Sequence, residues 1–222
     1  VVRSRGLGDV YKRQVPACVF EDDFGYEAWV EYILDVPMYF LHRGDSYIDV
    51  SGQSFRAFMD GKLTGFEGQL PSMEDFEDHI TTAFPEVRLK GYIEMRGADS
   101  GSWGSICALP ALWVGLLYDE ESLNAAEALV SGISAQQVEA ARLSALTDGL
   151  DGQFAGQPML GIATEMVALS EAGLARRQIT DSKGRDETQY LDPLREIVIT
   201  GKTNADIMLD HYNSDWDRDV RH

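Results

Sequence analysis

Charged side chains alternate with apolar ones between Arg88 and Arg96, where the chain runs Arg-Leu-Lys-Gly-Tyr-Ile-Glu-Met-Arg. Successive side chains of a β-strand point to opposite faces. Arg88, Lys90, Tyr92, Glu94 and Arg96 would therefore share one face of a strand. A carboxylate there can hold Mg²⁺, which prefers oxygen ligands, and the cations can neutralise a transferring phosphoryl group. The pattern thus suits the binding of nucleotide phosphates. The alternation alone also fits a strand whose charged face is simply solvated.

This segment predicts the clearest strand of the chain, from Arg88 to Ala98, followed by a Gly/Ser-rich turn over 97–104. Its other face carries Leu89, Gly91, Ile93 and Met95, which are expected to pack against helices.

The elements before this strand follow from local signals. Gly44-Asp45 lies between two β-rich runs, Met38 to Arg43 and Ser46 to Val50, which is typical of a tight hairpin. The Arg-Gly-Asp tripeptide at 43–45 is therefore interpreted as a turn and not as an integrin motif. Helices are expected at 25–34, near 55–59, and from a cap at Ser72 with Asp75 to about Phe84.

The chain after Gly104 is predicted to be almost wholly helical. Pro110 is placed in a first helical turn, and Ser134 with Gln137 forms a capping box for a helix that runs to Thr147. Other helices are expected at 122–131, 159–173, 188–199 and 204–213, with a Gly-rich linker at 149–158 and a mobile charged connector at 179–187. The fold class is therefore α+β, with a hairpin and one clear strand before a helical bundle.

Composition narrows the possible partners and locations. With 19 basic and 37 acidic residues the net charge is −18, so the chain is expected to repel nucleic acid and anionic lipid in general. Any phosphate group that the chain binds therefore needs a local cationic patch.

The longest apolar run, from Cys107 to Tyr118, is too short to span a bilayer, and no membrane segment is predicted. The two distant cysteines, Cys18 and Cys107, indicate a reducing compartment, and a cytoplasmic location is expected.

Two longer stretches carry a family resemblance. Phe84-Pro-Glu-Val-Arg-Leu-Lys-Gly-Tyr-Ile-Glu-Met-Arg-Gly-Ala-Asp99 and Cys107-Ala-Leu-Pro-Ala-Leu-Trp-Val-Gly-Leu-Leu-Tyr-Asp119 closely resemble the core of the plant and proteobacterial glutamate–cysteine ligases. The resemblance runs from about Val15 to Trp216. It also includes, in the family's order, the segments at 35–40, 47–49, 79–86, 184–191 and 211–216.

The resemblance implies a glutamine-synthetase-like antiparallel sheet that forms an open funnel backed by helices. By its Glu-x-Arg-x-x-Asp pattern, Glu94 looks like a Mg²⁺ ligand and Arg96 looks like the contact to the transferred phosphate. Arg88 and Lys90 are candidate phosphate or substrate contacts by position, although both could be solvated rim charges. Asp99 matches the pattern but could equally cap the turn. Tyr39 is a candidate for lining the amino-acid pocket, with a core position as the alternative.

The activity that the resemblance implies is ATP- and Mg²⁺-dependent ligation of the γ-carboxylate of L-glutamate to the amine of L-cysteine, the first step of glutathione biosynthesis. Two alternatives stay open. One is a related carboxylate–amine ligase with another amine acceptor, and the other is a non-enzymatic helical interaction module formed by 107–216. The sequence leaves the oligomeric state open.

Residues 1–14 have a different expected origin. The stretch from Ser4 to Gln14, Ser-Arg-Gly-Leu-Gly-Asp-Val-Tyr-Lys-Arg-Gln, matches the translation of a common sequencing adapter. We therefore expect 1–14 to be foreign and 15–222 to be the C-terminal part of a single catalytic domain. The resemblance places much of the remaining acidic metal cluster and the glutamate site in the missing N-terminal half. Such a fragment is expected to have no ligase activity by itself.

Overall fold

The chain is described by a computed structural model that covers residues 15–89, 91–98, 100–219 and 221. It divides into two compact units, with the boundary between Gly97 and Ala98. Among these described residues helices dominate, and the strands form three antiparallel pairs. The expected α+β class is confirmed.

Within its described residues, 15–89 and 91–97, the first unit contains three α-helices and two hairpins. A 3-10 turn at Ala17–Phe20 comes first. Its other elements are α1 (Tyr26–Asp35), β1 (Phe40–Arg43), β2 (Ser46–Asp49), α2 (Phe55–Met59), α3 (Met73–Thr82), β3 (Val87–Leu89) and β4 (Ile93–Met95).

Local signals determine most of these boundaries. Gly44 takes the left-handed conformation, with φ of 57°, in the turn between β1 and β2, as a tight hairpin requires. Ser72 and Asp75 form a reciprocal capping box at the start of α3. The interpretation of 43–45 as a hairpin turn is confirmed. Arg43, at the end of β1, donates two hydrogen bonds to Asp75, of 2.5 and 3.2 Å. Burial by itself would raise the pKa of Asp75, but the bonds from Arg43 and Ser72 lower it.

The single strand expected from Arg88 to Ala98 is wrong. The chain turns back after Leu89, so that β3 and β4 pair as a hairpin. The expected packing of its apolar face is also only partly right. Leu89 packs against the core cluster of Trp29, Ile33, Val36 and Ala83, but Ile93 is 61% exposed. Arg88, from the charged face, is instead buried.

His79 is a buried titratable group of the first unit. Its ring stacks on Phe55, with 4.6 Å between the ring centroids, and its Nε2 lies 2.9 Å from the carbonyl oxygen of Ile33. Burial lowers the pKa of His79 below 6.5, although the bond to Ile33 opposes this change. The ring is therefore neutral in the folded unit at neutral pH.

This burial predicts an acid-sensitive first unit. Below pH 6.5 the unfolded chain protonates His79 while the folded unit does not, so the free energy of unfolding should fall as the pH drops from 7 toward the lowered pKa. His79→Gln should remove most of that slope when urea unfolding is followed across this range. His42→Gln, which leaves the buried ring in place, should keep it. An unchanged slope in His79→Gln would contradict the assignment.

As far as its residues are described, the second unit is a helical bundle with one short hairpin. Two 3-10 turns, at Gly149–Asp151 and Glu187–Leu191, interrupt its helices. The elements are α4 (Trp103–Leu117), α5 (Glu120–Val130), α6 (Ala135–Asp148), β5 (Gln153–Phe154), β6 (Gln157–Pro158), α7 (Met159–Arg177), α8 (Asp192–Thr200) and α9 (Asn204–Asn213).

Two predictions for this unit need correction. Pro110 is not in a first turn, because α4 already begins at Trp103, where Ser102 accepts a bond from the amide of Ser105. The Gly-rich linker at 149–158 folds into a 3-10 turn and the β5–β6 hairpin. The connector expected at 179–187 is a loop in which the Asp181 carboxylate accepts from the amides of Lys183 and Arg185, and its mobility stays a prediction.

Helices α4 and α7 cross with their backbones in close contact. A Cβ built on Gly173 would lie 2.0 Å from the carbonyl oxygen of Gly115, and one built on Gly115 would lie 2.2 Å from that of Ser170. The buried hydroxyl of Ser170 donates from α7 to the carbonyl oxygen of Leu112 in α4, and that of Ser122, in α5, donates to the carbonyl oxygen of Leu169 in α7. Small residues are therefore required on both helices here.

Within the described part of the chain, none of the helices combines the length and the apolar character needed to cross a membrane.

Candidate phosphate-binding site

The β3–β4 hairpin brings together three of the predicted site residues. In its register Arg88 lies opposite Glu94. Side chains of directly opposed residues in an antiparallel pair lie on the same face, and Arg96, two residues after Glu94, follows on that face. The charged face predicted from the alternation is thus present, but it extends across two short strands.

Arg88 is the fixed member of this cluster. It is 6% exposed, and its Nη1 donates to the carbonyl oxygens of Thr81 and Ala83, at 2.7 and 3.3 Å, at the end of α3. Terminal carbonyls of a helix lack intrahelical partners, so Arg88 satisfies two acceptors that α3 leaves open. Its Nε and Nη2 each lie 2.7 Å from Oε2 of Glu94. A direct phosphate contact by Arg88 would require these bonds to be given up.

Glu94 lies between the two arginines. Its Oε2 accepts from Arg88 and is also 3.3 Å from Nη1 of Arg96. The hydrogen bond from Arg88, with a smaller contribution from Arg96, lowers the pKa of Glu94 below its ordinary value of 4.5. Glu94 is therefore ionised throughout the neutral range. Because both ion pairs that Glu94 makes among the described residues use Oε2, Oε1 is the oxygen that can serve another ligand.

Arg96 is the more accessible arginine, with 29% of its side chain exposed. Its backbone amide donates to the carbonyl oxygen of Glu86 at 2.8 Å, which continues the pairing of the hairpin by one residue. Its guanidinium carbon lies 4.9 Å from the centroid of the Phe84 ring, and that of Arg88 lies 5.5 Å from the same centroid. Phe84 was not among the predicted site residues. A Phe-Pro pair just before a charged strand is the signal that could have indicated it.

The other predicted residues are not part of this described cluster. Tyr39 lies directly before β1, next to a different two-stranded sheet. Lys90 and Asp99 lie outside the described residues. The roles predicted for Tyr39, Lys90 and Asp99 stay predictions.

Glu94 is the carboxylate that the described residues of this cluster offer to a magnesium ion. Among the described residues, no group of three or more His, Cys, Asp or Glu side chains could hold a metal ion. Mg²⁺ is commonly bound through one or two carboxylates, together with substrate phosphates and water. Glu94 fits such a site as a single ligand, and the two arginines beside it favour an anion in the same place.

Comparison with known proteins identifies relatives along nearly the whole chain. The sequence model of glutamate–cysteine ligase family 2 (GCS2) matches residues 8–222. The chain is 47% identical over 202 residues to the chloroplastic glutamate–cysteine ligase of Nicotiana tabacum. Over matches of the same length it is 46% identical to that of Arabidopsis thaliana and to the chloroplastic glutamate–cysteine ligase A of Oryza sativa subsp. indica. These matches cover 91% of this chain but only 38% to 40% of the relatives, so the chain spans about two fifths of their length.

The expected cytoplasmic location is contradicted by these relatives, which are all named as chloroplastic enzymes. A low cysteine count indicates reducing conditions, but it does not distinguish one reducing compartment from another.

The prediction that 1–14 are foreign concerns residues outside the described part of the chain, and it stays a prediction.

Proposed function

The chain belongs to glutamate–cysteine ligase family 2, and from this premise we propose that it forms the C-terminal part of an enzyme that joins L-glutamate to L-cysteine. The observation that supports a phosphate-transfer role most directly is the ion-paired cluster of Arg88, Glu94 and Arg96 on one face of a hairpin. This ligation is the first step of glutathione biosynthesis.

The proposed reaction has two steps. An oxygen of the γ-carboxylate of glutamate attacks the γ-phosphorus of ATP, and the bond to the β–γ bridging oxygen breaks, giving γ-glutamyl phosphate and ADP. The amine of cysteine then attacks the activated carbonyl carbon. The carbon–oxygen bond to phosphate breaks, the amine loses a proton, and an amide and inorganic phosphate result. Activation is needed because a free carboxylate is a poor electrophile. Positioning and charge neutralisation account for most of the catalysis in such transfers.

The cluster supplies cationic groups for the first step. We propose that Arg96, the exposed arginine, contacts the transferred phosphoryl group with its planar fork of N–H donors. Arg88 contributes positive charge from the buried side of the cluster, since its donors are already used within the protein. Lys90 is a further proposed phosphate contact, and Tyr39 is proposed to line the amino-acid pocket.

Glu94 is proposed as a Mg²⁺ ligand through Oε1, with phosphate oxygens of ATP completing the site. The ion would neutralise charge on those phosphates. Arg88 binds the other carboxylate oxygen of Glu94, Oε2, and so holds this side chain in place.

The proposed function is tested most directly in a chimera. The 202 matched residues of this chain replace their counterpart in the Nicotiana tabacum relative, and ADP release is measured in a coupled assay. We expect release that requires both glutamate and cysteine. Release that accepts other amines equally well would favour a related carboxylate–amine ligase. A folded chimera without turnover would count against the proposed function.

The isolated chain is expected to have no ligase activity. Glu94 is a single carboxylate, and no metal site built from three or more side chains is present among the described residues, so the chain by itself should not hold MgATP in a reactive geometry. The same coupled assay on the chain should give no ADP release above background. Release that depends on glutamate and cysteine would contradict this prediction.

A further inference from the structure

The aromatic ring of Phe84 lies under both arginines of the cluster. The guanidinium carbons of Arg96 and Arg88 are 4.9 and 5.5 Å from its centroid, within the range of cation–π attraction. Two guanidinium groups this close to one ring repel each other. The carboxylate of Glu94, which ion-pairs with both, and the electron-rich face of the ring offset that repulsion.

The two arginines depend on the ring to different degrees. Arg88 is also anchored by hydrogen bonds to the carbonyl oxygens of Thr81 and Ala83. For Arg96, the described contacts of the guanidinium are the 3.3 Å ion pair with Glu94 and the face of Phe84. The 3.3 Å separation is longer than the 2.7 to 2.9 Å typical of a strong charge-assisted hydrogen bond. The ring is therefore a main restraint on the orientation of this side chain.

An arginine has many rotamers, and ordering it on ligand binding lowers affinity unless it is already held in place. A flat ring restrains a guanidinium plane without using any of its N–H donors. Arg96 can thus keep donors for an incoming phosphate while its side chain stays ordered. A hydrogen-bonded anchor such as the one that holds Arg88 would use those donors.

We propose that Phe84 is a positioning residue, which holds the guanidinium of Arg96 in the orientation that meets a phosphate group of ATP. This role rests on the proposed function of Arg96 and adds to it a residue that does not itself touch the substrate.

The experiment has a spectroscopic readout and a binding readout, both on the whole chain. The side-chain Nε–H signal of Arg96 is assigned by NMR, and MgATP affinity is measured by calorimetry. In Phe84→Leu, the ring-current shift of the Arg96 signal should disappear and the MgATP affinity should fall about 3- to 10-fold. Phe84→Trp, which keeps an aromatic face, should restore both. Phe66→Leu removes a ring that packs elsewhere in the same unit, and it should change neither.

The outcomes separate the two proposals. If Arg96→Ala weakens MgATP binding and Phe84→Leu does not, the positioning role is overturned and the role of Arg96 stands. If the Arg96 signal shows no ring-current shift in the unmodified chain, the positioning role is overturned whatever the affinities are. If Arg96→Ala leaves MgATP affinity unchanged, the proposed function of Arg96 fails and the positioning role fails with it. Should the chain bind MgATP too weakly to measure, the KM for ATP of the chimera replaces the calorimetric readout.

Discussion

Arg96→Ala is expected to lower kcat for ADP release in the chimera by about two to three orders of magnitude, the usual effect of removing one preorganised donor to a developing charge. Arg96 is the accessible arginine of the cluster, and it is placed by its ion pair with Glu94 and by the ring of Phe84. Arg96→Lys keeps the charge but loses the planar fork of donors. Its kcat should therefore lie between that of the parent chimera and that of Arg96→Ala. The measurement is steady-state ADP release at saturating glutamate and cysteine, with ATP varied.

A matched arginine in the same unit provides the control. Arg56 pairs with Asp35 and Glu31 on the surface, and exposed ion pairs of this kind contribute little to stability. Arg56→Ala should therefore stay within about twofold of the parent chimera. If Arg56→Ala lost as much activity as Arg96→Ala, the effect would reflect damage to the fold. Full activity in Arg96→Ala would remove Arg96 from the site.

Gly173→Ala is expected to destabilise the second unit by about 3 kcal/mol or more, which is at the upper end of the usual cost of overpacking. The added Cβ would lie 2.0 Å from the carbonyl oxygen of Gly115 and 2.8 Å from Oγ of Ser122. The first of these is backbone, so α4 and α7 must move apart to make room. Hydrogen exchange of the α7 amides under increasing urea measures the free energy of unfolding of the second unit by itself.

The control for this change lies on the same helix. Gly161 is also in α7, and a Cβ built there would meet nothing within 4 Å. Alanine is a better helix former than glycine, so Gly161→Ala should stabilise the unit by about 0.5 to 1 kcal/mol. The two substitutions are chemically identical and are predicted to have opposite signs. Stabilisation by Gly173→Ala would show that the helices do not cross as described.

The sequence was sufficient for features that depend on near neighbours. The predicted capping box at Ser134 and the predicted cap at Ser72 each join residues three positions apart, and both are present, the cap at Ser72 also as a capping box. The turn at Gly44 needs one residue that tolerates a positive φ. Such signals lie within a few residues of the element they define, so a linear pattern contains them completely.

The strand from Arg88 to Ala98 shows where a linear pattern is ambiguous. Arg88 and Glu94 are six positions apart, an even number, so they share a face both along one continuous strand and across a hairpin that turns between them. Alternation therefore predicts the correct face with either topology. What excludes the continuous strand is the pairing of β3 with β4, and pairing is a property of the folded unit.

Tertiary structure alone decided how the cluster works and how the bundle packs. In the sequence, Arg88 and Arg96 are equivalent cations on one face. In the fold, Arg88 is buried and donates hydrogen bonds to carbonyl oxygens at the end of α3. Arg96 stays accessible and lies over the ring of Phe84. Likewise, nothing near Gly173 in the chain indicates that Gly115 lies against it. Burial and close approach depend on residues distant in the sequence, because the free energy of a contact is set by which surfaces meet after folding.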